Sequence, residues 1–160
     1  MMYHLTKSLD STRPVVSNDG WEMVKTDLCT IHDYEWRQDV LMDRYRTAER
    51  AIGAARGRNL YVGGHAYDGE PILVTEFGGI AFKKSDWEGW GYSGAENDSD
   101  FLQRLTAVFR PMHQSPTVQG FCYTQLTDVE QEINGLLTYD RKPKVELTQI
   151  RRIVTGEGME

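Results

Sequence analysis

The sequence predicts an α/β fold with about four parallel strands and flanking helices. Three observations carry that expectation. Residues 71–79, Pro-Ile-Leu-Val-Thr-Glu-Phe-Gly-Gly, run through four apolar or β-branched side chains into a carboxylate, an aromatic ring and two glycines. A short continuous apolar run suits a strand buried on both faces, as in parallel sheets. Phe101, Leu102, Leu105, Val108, Phe109 and Met112 fall on one helical face. The later strand-like runs alternate with helix-like ones, an order that favours right-handed parallel crossovers.

Residues 1–12 read as the tail of a helix bearing Tyr3, Leu5 and Leu9, closing on Asp10-Ser11-Thr12. Residues 13–18 read as a short strand, stopped by the turn signal Asn18-Asp19-Gly20. A second strand spans 27–32 and leads into a loop beginning Asp33-Tyr34. Residues 35–55 are rich in Glu, Arg, Gln, Leu, Met and Ala and predict one helix. A glycine-bearing loop over 56–70 follows, and then the third strand at 72–77. Residues 80–97 carry Trp87, Trp90 and Tyr92 and read as one long irregular segment, a length usually tied to function or mobility. Asp98-Ser99 is the expected cap of the amphipathic helix. The fourth strand spans 118–124, and Asn134-Gly135 marks a turn after it. Pro143 suits the first turn of a last helix bearing Val145, Ile150, Ile153 and Val154. One domain over 1–155 and a frayed tail over 156–160 is the expected organisation.

With 39% hydrophobic and 26% charged residues, the composition suits a soluble domain with a real core. A net charge of −6 gives no electrostatic support to a nucleic-acid or anionic-membrane partner, and neither is expected. No run approaches the ~18 apolar residues of a membrane span. The start shows no signal-peptide pattern, which favours a cytoplasmic location for this chain. Cys29 and Cys122 read as buried thiols, with a disulfide as the alternative. The four histidines show no metal-ligand spacing, and no phosphate-binding or dinucleotide fingerprint occurs. No metal or cofactor is expected. Glu76 sits at the carboxyl end of its strand, where α/β folds gather their chemistry. By itself it could equally be a solvated strand-end acid.

Five segments, in order and at fitting spacing, resemble glycoside hydrolase family 2, the β-galactosidase, β-glucuronidase and β-mannosidase group with a (β/α)8 catalytic barrel. Leu9 to Val15 resembles the approach to the fifth barrel strand, and Asp27 to Tyr34 the sixth strand with its following tyrosine. Pro71 to Gly79 resembles the seventh strand, whose terminal glutamate is the family's nucleophile. Gly120 to Asp128 resembles the eighth strand, and Asn134-Gly135-Leu136 with Asp140-Arg141-Lys142-Pro143-Lys144 its exit. A whole barrel takes ~250 residues. The resemblance therefore implies a partial (β/α)8 TIM barrel, the C-terminal half, strands five to eight.

It also implies a retaining β-glycosidase acting on a β-linked glycoside or oligosaccharide. Such an enzyme sets two carboxyl groups ~5–5.5 Å apart, one to attack the anomeric carbon and one to protonate the leaving oxygen. By motif match Glu76 is the nucleophile, and Tyr34 the phenol that hydrogen-bonds it. His32 stands where relatives carry a polar substrate-facing residue, and Asp128 matches an acidic position after the eighth strand. An ordinary structural histidine and a solvated loop acid are the plainer readings of those two. Tyr123 and Trp87 complete the candidate substrate-binding set, with Trp87 and Trp90 as a stacking wall.

Two departures stand out. Relatives often stack the sugar on an eighth-strand tryptophan, and the matching residue here is Thr124, flanked by Tyr123 and Gln125. The family's acid/base is a glutamate preceded by asparagine, and no Asn-Glu pair occurs in the 160 residues. Glu22 could be offered in its place, but no motif supports it. The chain is thus expected to be inactive alone, and to need the rest of a barrel or self-association to complete a site. The rival expectation is a non-catalytic half-barrel that binds sugar or assembles.

Overall fold

The computed structural model describes residues 1–54, 57–84 and 88–158. Its centre is a parallel sheet in the order β1-β2-β5, formed by β1 (Cys29–Asp33), β2 (Ile72–Gly78) and β5 (Val118–Thr124). The helices are α1 (Met2–Leu9), α2 (Gln38–Arg44), α3 (Ala48–Gly53), α4 (Asp98–Gln114) and α5 (Leu147–Thr155). Two short strands, β3 (Ile80–Ala81) and β4 (Ser93–Gly94), pair in parallel beyond the end of β2. No helix among the described residues is long and apolar enough to cross a membrane.

The core lies where the central strand meets the long helix. Ile72, Val74 and Phe77 of β2 are buried, as are Phe101, Leu105, Val108, Phe109 and Met112 of α4. These are the apolar positions the helical spacing predicts, with Leu102 packed at the margin. Phe77 and Phe109 meet edge-to-face, ring centroids 5.0 Å apart, an arrangement that aromatic quadrupoles favour. Helix α4 packs against α2 on one side and α5 on the other.

Several expectations are corrected. Residues 13–18 form no strand. Val15 bonds to Asp27 and Thr26 rather than to a strand: its carbonyl accepts the Asp27 amide and the Thr26 hydroxyl, and its own amide donates to the Asp27 carboxylate. Ser17 accepts from the Val24 amide and Asn18 donates to the Trp21 carbonyl, so short polar side chains compete with a ladder there. The sheet therefore has three strands rather than four.

The helix expected over 35–55 breaks at Tyr45. That side chain is 1% exposed and gives its hydroxyl to Asp33 at 2.7 Å, while Thr47 restarts the chain as the cap of α3. Asn97, not Asp98 or Ser99, caps α4, accepting from the Asp100 amide. Pro143 lies ahead of α5, bridged to Leu137. Gly156, at φ 76°, closes α5, with the Gly156 and Glu157 amides bonded to the Ile153 and Arg152 carbonyls. Cys29 is buried but Cys122 is exposed, and no disulfide joins them.

Candidate active site

The carboxyl ends of β1 and β2 build the site. Pairing runs Ile31 to Val74 and then His32 to Glu76, so β2 carries one extra residue, Thr75, against β1. A bulge re-aims the side chains that follow it. Here it sets Glu76 directly beside His32 and leaves Phe77 facing the core. The Glu76 side chain is 38% exposed.

Tyr34, one residue past β1, donates its hydroxyl to Glu76 Oε2. Burial, then hydrogen bonds to Glu76 and Tyr92, push the Tyr34 phenol upward, so it keeps its proton and acts as a donor. The ring is clamped from behind. Tyr92 stacks on it with centroids 3.4 Å apart and planes 4° from parallel.

Gly78 and Gly79 make that packing possible. Both have positive φ, 87° and 59°, which a side chain would strain. A Cβ on Gly78 would overlap the Tyr123 ring, and one on Gly79 would overlap Tyr92. The glycine pair serves a sharp turn and two close ring contacts.

Asp33 holds the loop that carries Tyr34. It is 3% exposed and takes Arg44 Nη1 at 2.5 and 2.6 Å, the Tyr45 hydroxyl at 2.7 Å and the Glu35 amide at 3.2 Å. Helix α2 thereby fixes the strand end from which Tyr34 reaches Glu76.

His32 joins the site through Asp19. Its Nε2 lies 2.9 Å from Asp19 Oδ2, while Nδ1 faces Glu76 Oε2 at 3.4 Å without a well-formed hydrogen bond. Gly20, at φ 84°, lies so close that a Cβ would overlap the imidazole, and Trp21 packs edge-on at 4.7 Å. Burial works against the Asp19 charge, but hydrogen bonds from His32, Thr75 and Thr30 outweigh it and hold the pKa below the ordinary value. Asp19, His32 and Glu76 offer ligand atoms within 4.8 Å of one another, a spacing a metal ion could use. The imidazole also turns one ring nitrogen to each carboxylate, so His32 links Asp19 to Glu76.

The other candidates fall elsewhere. Asp128 is 8% exposed, and its Oδ1 accepts both Lys144 Nζ at 2.7 Å and the Gly135 amide at 2.8 Å, so the carboxylate is committed to a buried turn. Tyr123 packs beside Gly78 and Phe77, its hydroxyl 3.4 Å from the Asn134 carbonyl. Trp87 lies outside the described residues. Glu22, at φ 50°, lines a cleft with Ile52, Arg58 and Tyr61, and Glu76 does not line that cleft.

Asp19, Asp33 and Tyr92 belong to the site and were not singled out from the sequence. Asn18-Asp19-Gly20 carries a turn signal that hides the carboxylate contacting His32 and Thr75. Tyr92 was seen only as part of a loop. Its signal was the alternation Gly89-Trp90-Gly91-Tyr92, which puts two rings on one side of an extended chain.

No family model and no curated protein matches the sequence. Solved structures do match. A glycoside hydrolase family 2 (GH2) β-galacturonidase from Eisenbergiella tayi, determined with glycerol bound, superposes with TM-score 0.62 at 17% identity, over 98% of this chain and 29% of that one. A β-glucuronidase from Bifidobacterium dentium, complexed with coumarin-3-O-glucuronide, matches at TM-score 0.41 and 20% identity over 55% of this chain and 15% of its own. A Faecalibacterium prausnitzii β-glucuronidase matches at TM-score 0.39 and 17% identity over 56% and 16%. The chain thus spans less than a third of the length of these enzymes. Across nearly its whole length, its fold is similar to that of one segment of the Eisenbergiella tayi GH2 enzyme.

Proposed function

We propose that this chain is the nucleophile-bearing part of a retaining β-glycosidase related to glycoside hydrolase family 2, corresponding to the C-terminal half of a (β/α)8 barrel. The observation that carries the reading is the hydrogen bond from Tyr34 to Glu76 at neighbouring ends of parallel strands. A carboxylate with Oε2 tied to a phenol keeps its charge in place and presents Oε1 to the anomeric carbon. Attack there forms a glycosyl ester on Glu76 and expels the aglycone oxygen. Water then cleaves the ester and restores the carboxylate.

Departure of an ordinary alcohol also needs a proton, worth ~10²–10⁴-fold. Asp19 is the carboxylate nearest Glu76 through His32, but it is held ionised and so supplies no proton near neutral pH. On this reading, with no Asn-Glu pair in the 160 residues, the acid/base group is supplied by the remaining part of a barrel or by a second copy. The sheet offers places for either, since it ends at β1 on one side and β5 on the other.

An activated 2-deoxy-2-fluoro β-glycoside carries a leaving group that departs unprotonated. Incubated with the folded chain, it should add one glycosyl mass on the peptide containing Glu76. An unmodified, demonstrably folded protein would rule out a competent nucleophile. The two half-exposed aromatic rings beside the site favour one alternative, a sugar-binding half-barrel in which Glu76 does no chemistry. Size-exclusion mass bears on that alternative, because a self-standing module should elute as a discrete monomer or dimer.

A further inference from the structure

We infer that Asp19, His32 and Glu76 form a site for a divalent transition-metal ion of the Zn²⁺ kind, and that an ion held there disables Glu76 as a nucleophile. The first half stands on geometry alone. The second rests on the glycosidase reading of Glu76.

Three elements supply the ligands: the turn ahead of β1 gives Asp19, β1 gives His32 and β2 gives Glu76. Each offers one ligand atom, and the three atoms lie within 4.8 Å of one another. Among the described residues no other group of His, Cys, Asp and Glu side chains is so placed. Zinc bonds of about 2.0–2.2 Å put neighbouring ligands of a tetrahedral ion about 3.4 Å apart. His32 Nδ1 stands 3.4 Å from Glu76 Oε2. That separation is loose for a hydrogen bond and fits two ligands of one ion. Nδ1 is buried with no hydrogen-bond partner, and the His32 side chain is only 9% exposed. A buried ring nitrogen left unpaired is costly, and a metal ion would satisfy it.

The surroundings fix the trio. A Cβ on Gly20 would overlap the imidazole and Trp21 packs edge-on against it, so the ring is held in place. Asp19 lies against the ring, with Oδ2 2.9 Å from Nε2, and its side chain is 53% exposed, able to turn toward an ion at Nδ1. Thr75 donates to Asp19 Oδ1 at 2.8 Å and Tyr34 to Glu76 Oε2, outer hydrogen bonds of the type that orient carboxylate ligands. Two carboxylates balance the charge of a dication, and a mixed imidazole and carboxylate set suits zinc. Mg²⁺ prefers oxygen ligands and keeps its waters, so the imidazole offers it little. An ion on Oε2 withdraws charge from the same carboxylate whose Oε1 attacks the anomeric carbon. No spacing along the chain reveals the trio, because a turn and two strands contribute one member each.

The test is calorimetric titration of the chelator-stripped 160-residue chain with Zn²⁺ near neutral pH, with the histidine ring signals followed by NMR. One Zn²⁺ should bind per chain, moving the His32 signals and leaving those of His4, His65 and His113 in place. Mg²⁺ should do neither. Asp19→Asn and His32→Gln should each weaken binding about tenfold or more. Asp19 is mostly exposed, so its variant should keep the wild-type melting temperature. Unmoved His32 signals in the wild type, or undiminished affinity in Asp19→Asn, overturn the site. Labelling of Glu76 by the 2-deoxy-2-fluoro glycoside should be lost in saturating Zn²⁺ and return with a chelator. Labelling at full rate with Zn²⁺ bound overturns the control of Glu76. Zn²⁺ binding at His32 in a chain that never labels supports the ion site and removes the nucleophile.

Discussion

Glu76 and Asp128 are both acids that follow strand-like segments, and both entered as candidate site residues. Their surroundings set them apart. Asp128 is sealed in, with one oxygen taking a fully buried ammonium and a backbone amide. Burial pushes the Lys144 ammonium down, with Asp128 acting in the opposite direction, so each charge depends on the other. Glu76 is more than a third exposed, held by a neutral phenol and bordered by rings that leave an approach open. A carboxylate neutralised by a buried cation is committed to structure. One held by a neutral donor beside solvent stays open to approach.

The largest expected effect breaks the structural half of that comparison. Lys144→Met keeps much of the volume but strands the Asp128 charge in a closed turn. Breaking a buried pair from one side costs about 3–5 kcal/mol. The urea midpoint should fall accordingly, and Asp128→Asn added to the same chain should recover part of the loss. Glu76→Gln should alter stability by about 1 kcal/mol or less, because its site is half open, while abolishing covalent labelling. Equal stability losses in Lys144→Met and Glu76→Gln would erase the distinction.

A smaller effect sharpens the open side. Gly79 and Gly64 both have positive φ, 59° and 80°. Alanine at either position pays a backbone penalty of about 1–2 kcal/mol. At Gly64 an added methyl meets open space, whereas at Gly79 it meets Tyr92 and Tyr34. Gly79→Ala should thus melt lower than Gly64→Ala and also slow labelling of Glu76, by pushing Tyr34 off its carboxylate. Matching losses in the two variants would mean that the rings adapt and that only the turn requires glycine.

These residues also show what the sequence made legible. Strands β2 and β5 and helix α4 stood out because continuous apolar runs and helical periodicity are local signals. The break at Tyr45 did not, because it depends on a hydroxyl reaching Asp33 across the packed α2. Residues 13–18 looked strand-like by composition, yet the side chains of Asp27, Lys7, Thr26 and Thr30 bond their backbone instead. Glu76 was singled out by its motif and its place near a strand end, which the structure puts beside His32 and Tyr34. Asp19 was hidden inside a turn signal, and Asp33 gave no local sign of its bonds to Arg44, Tyr45 and the Glu35 amide. Contacts between residues distant in sequence set those roles, and no window along the chain contains them.

A third carboxylate, Asp27, lies between the two extremes and gives the smallest effect. It ties α1, which buries none of its own residues, to the rest of the fold. Asp27 accepts from Lys7 at 2.7 Å, Tyr3 at 2.5 Å and the Val15 amide at 2.8 Å. Lys7 first, then Tyr3, with Val15 adding to them, outweigh slight burial and lower its pKa from 3.8 to about 2. Since folding depresses this pKa, the anchoring is complete above pH 3.8 and is lost as pH falls through that value toward about 2. The Asp27 side chain is 26% exposed, so solvent and salt screen the bond and the loss stays local. Amide exchange in α1 should therefore quicken across that window relative to α4, and Asp27→Asn should show fast α1 exchange already at neutral pH. Parallel acid responses in α1 and α4 would mean that the sheet core, rather than this carboxylate, holds the first helix.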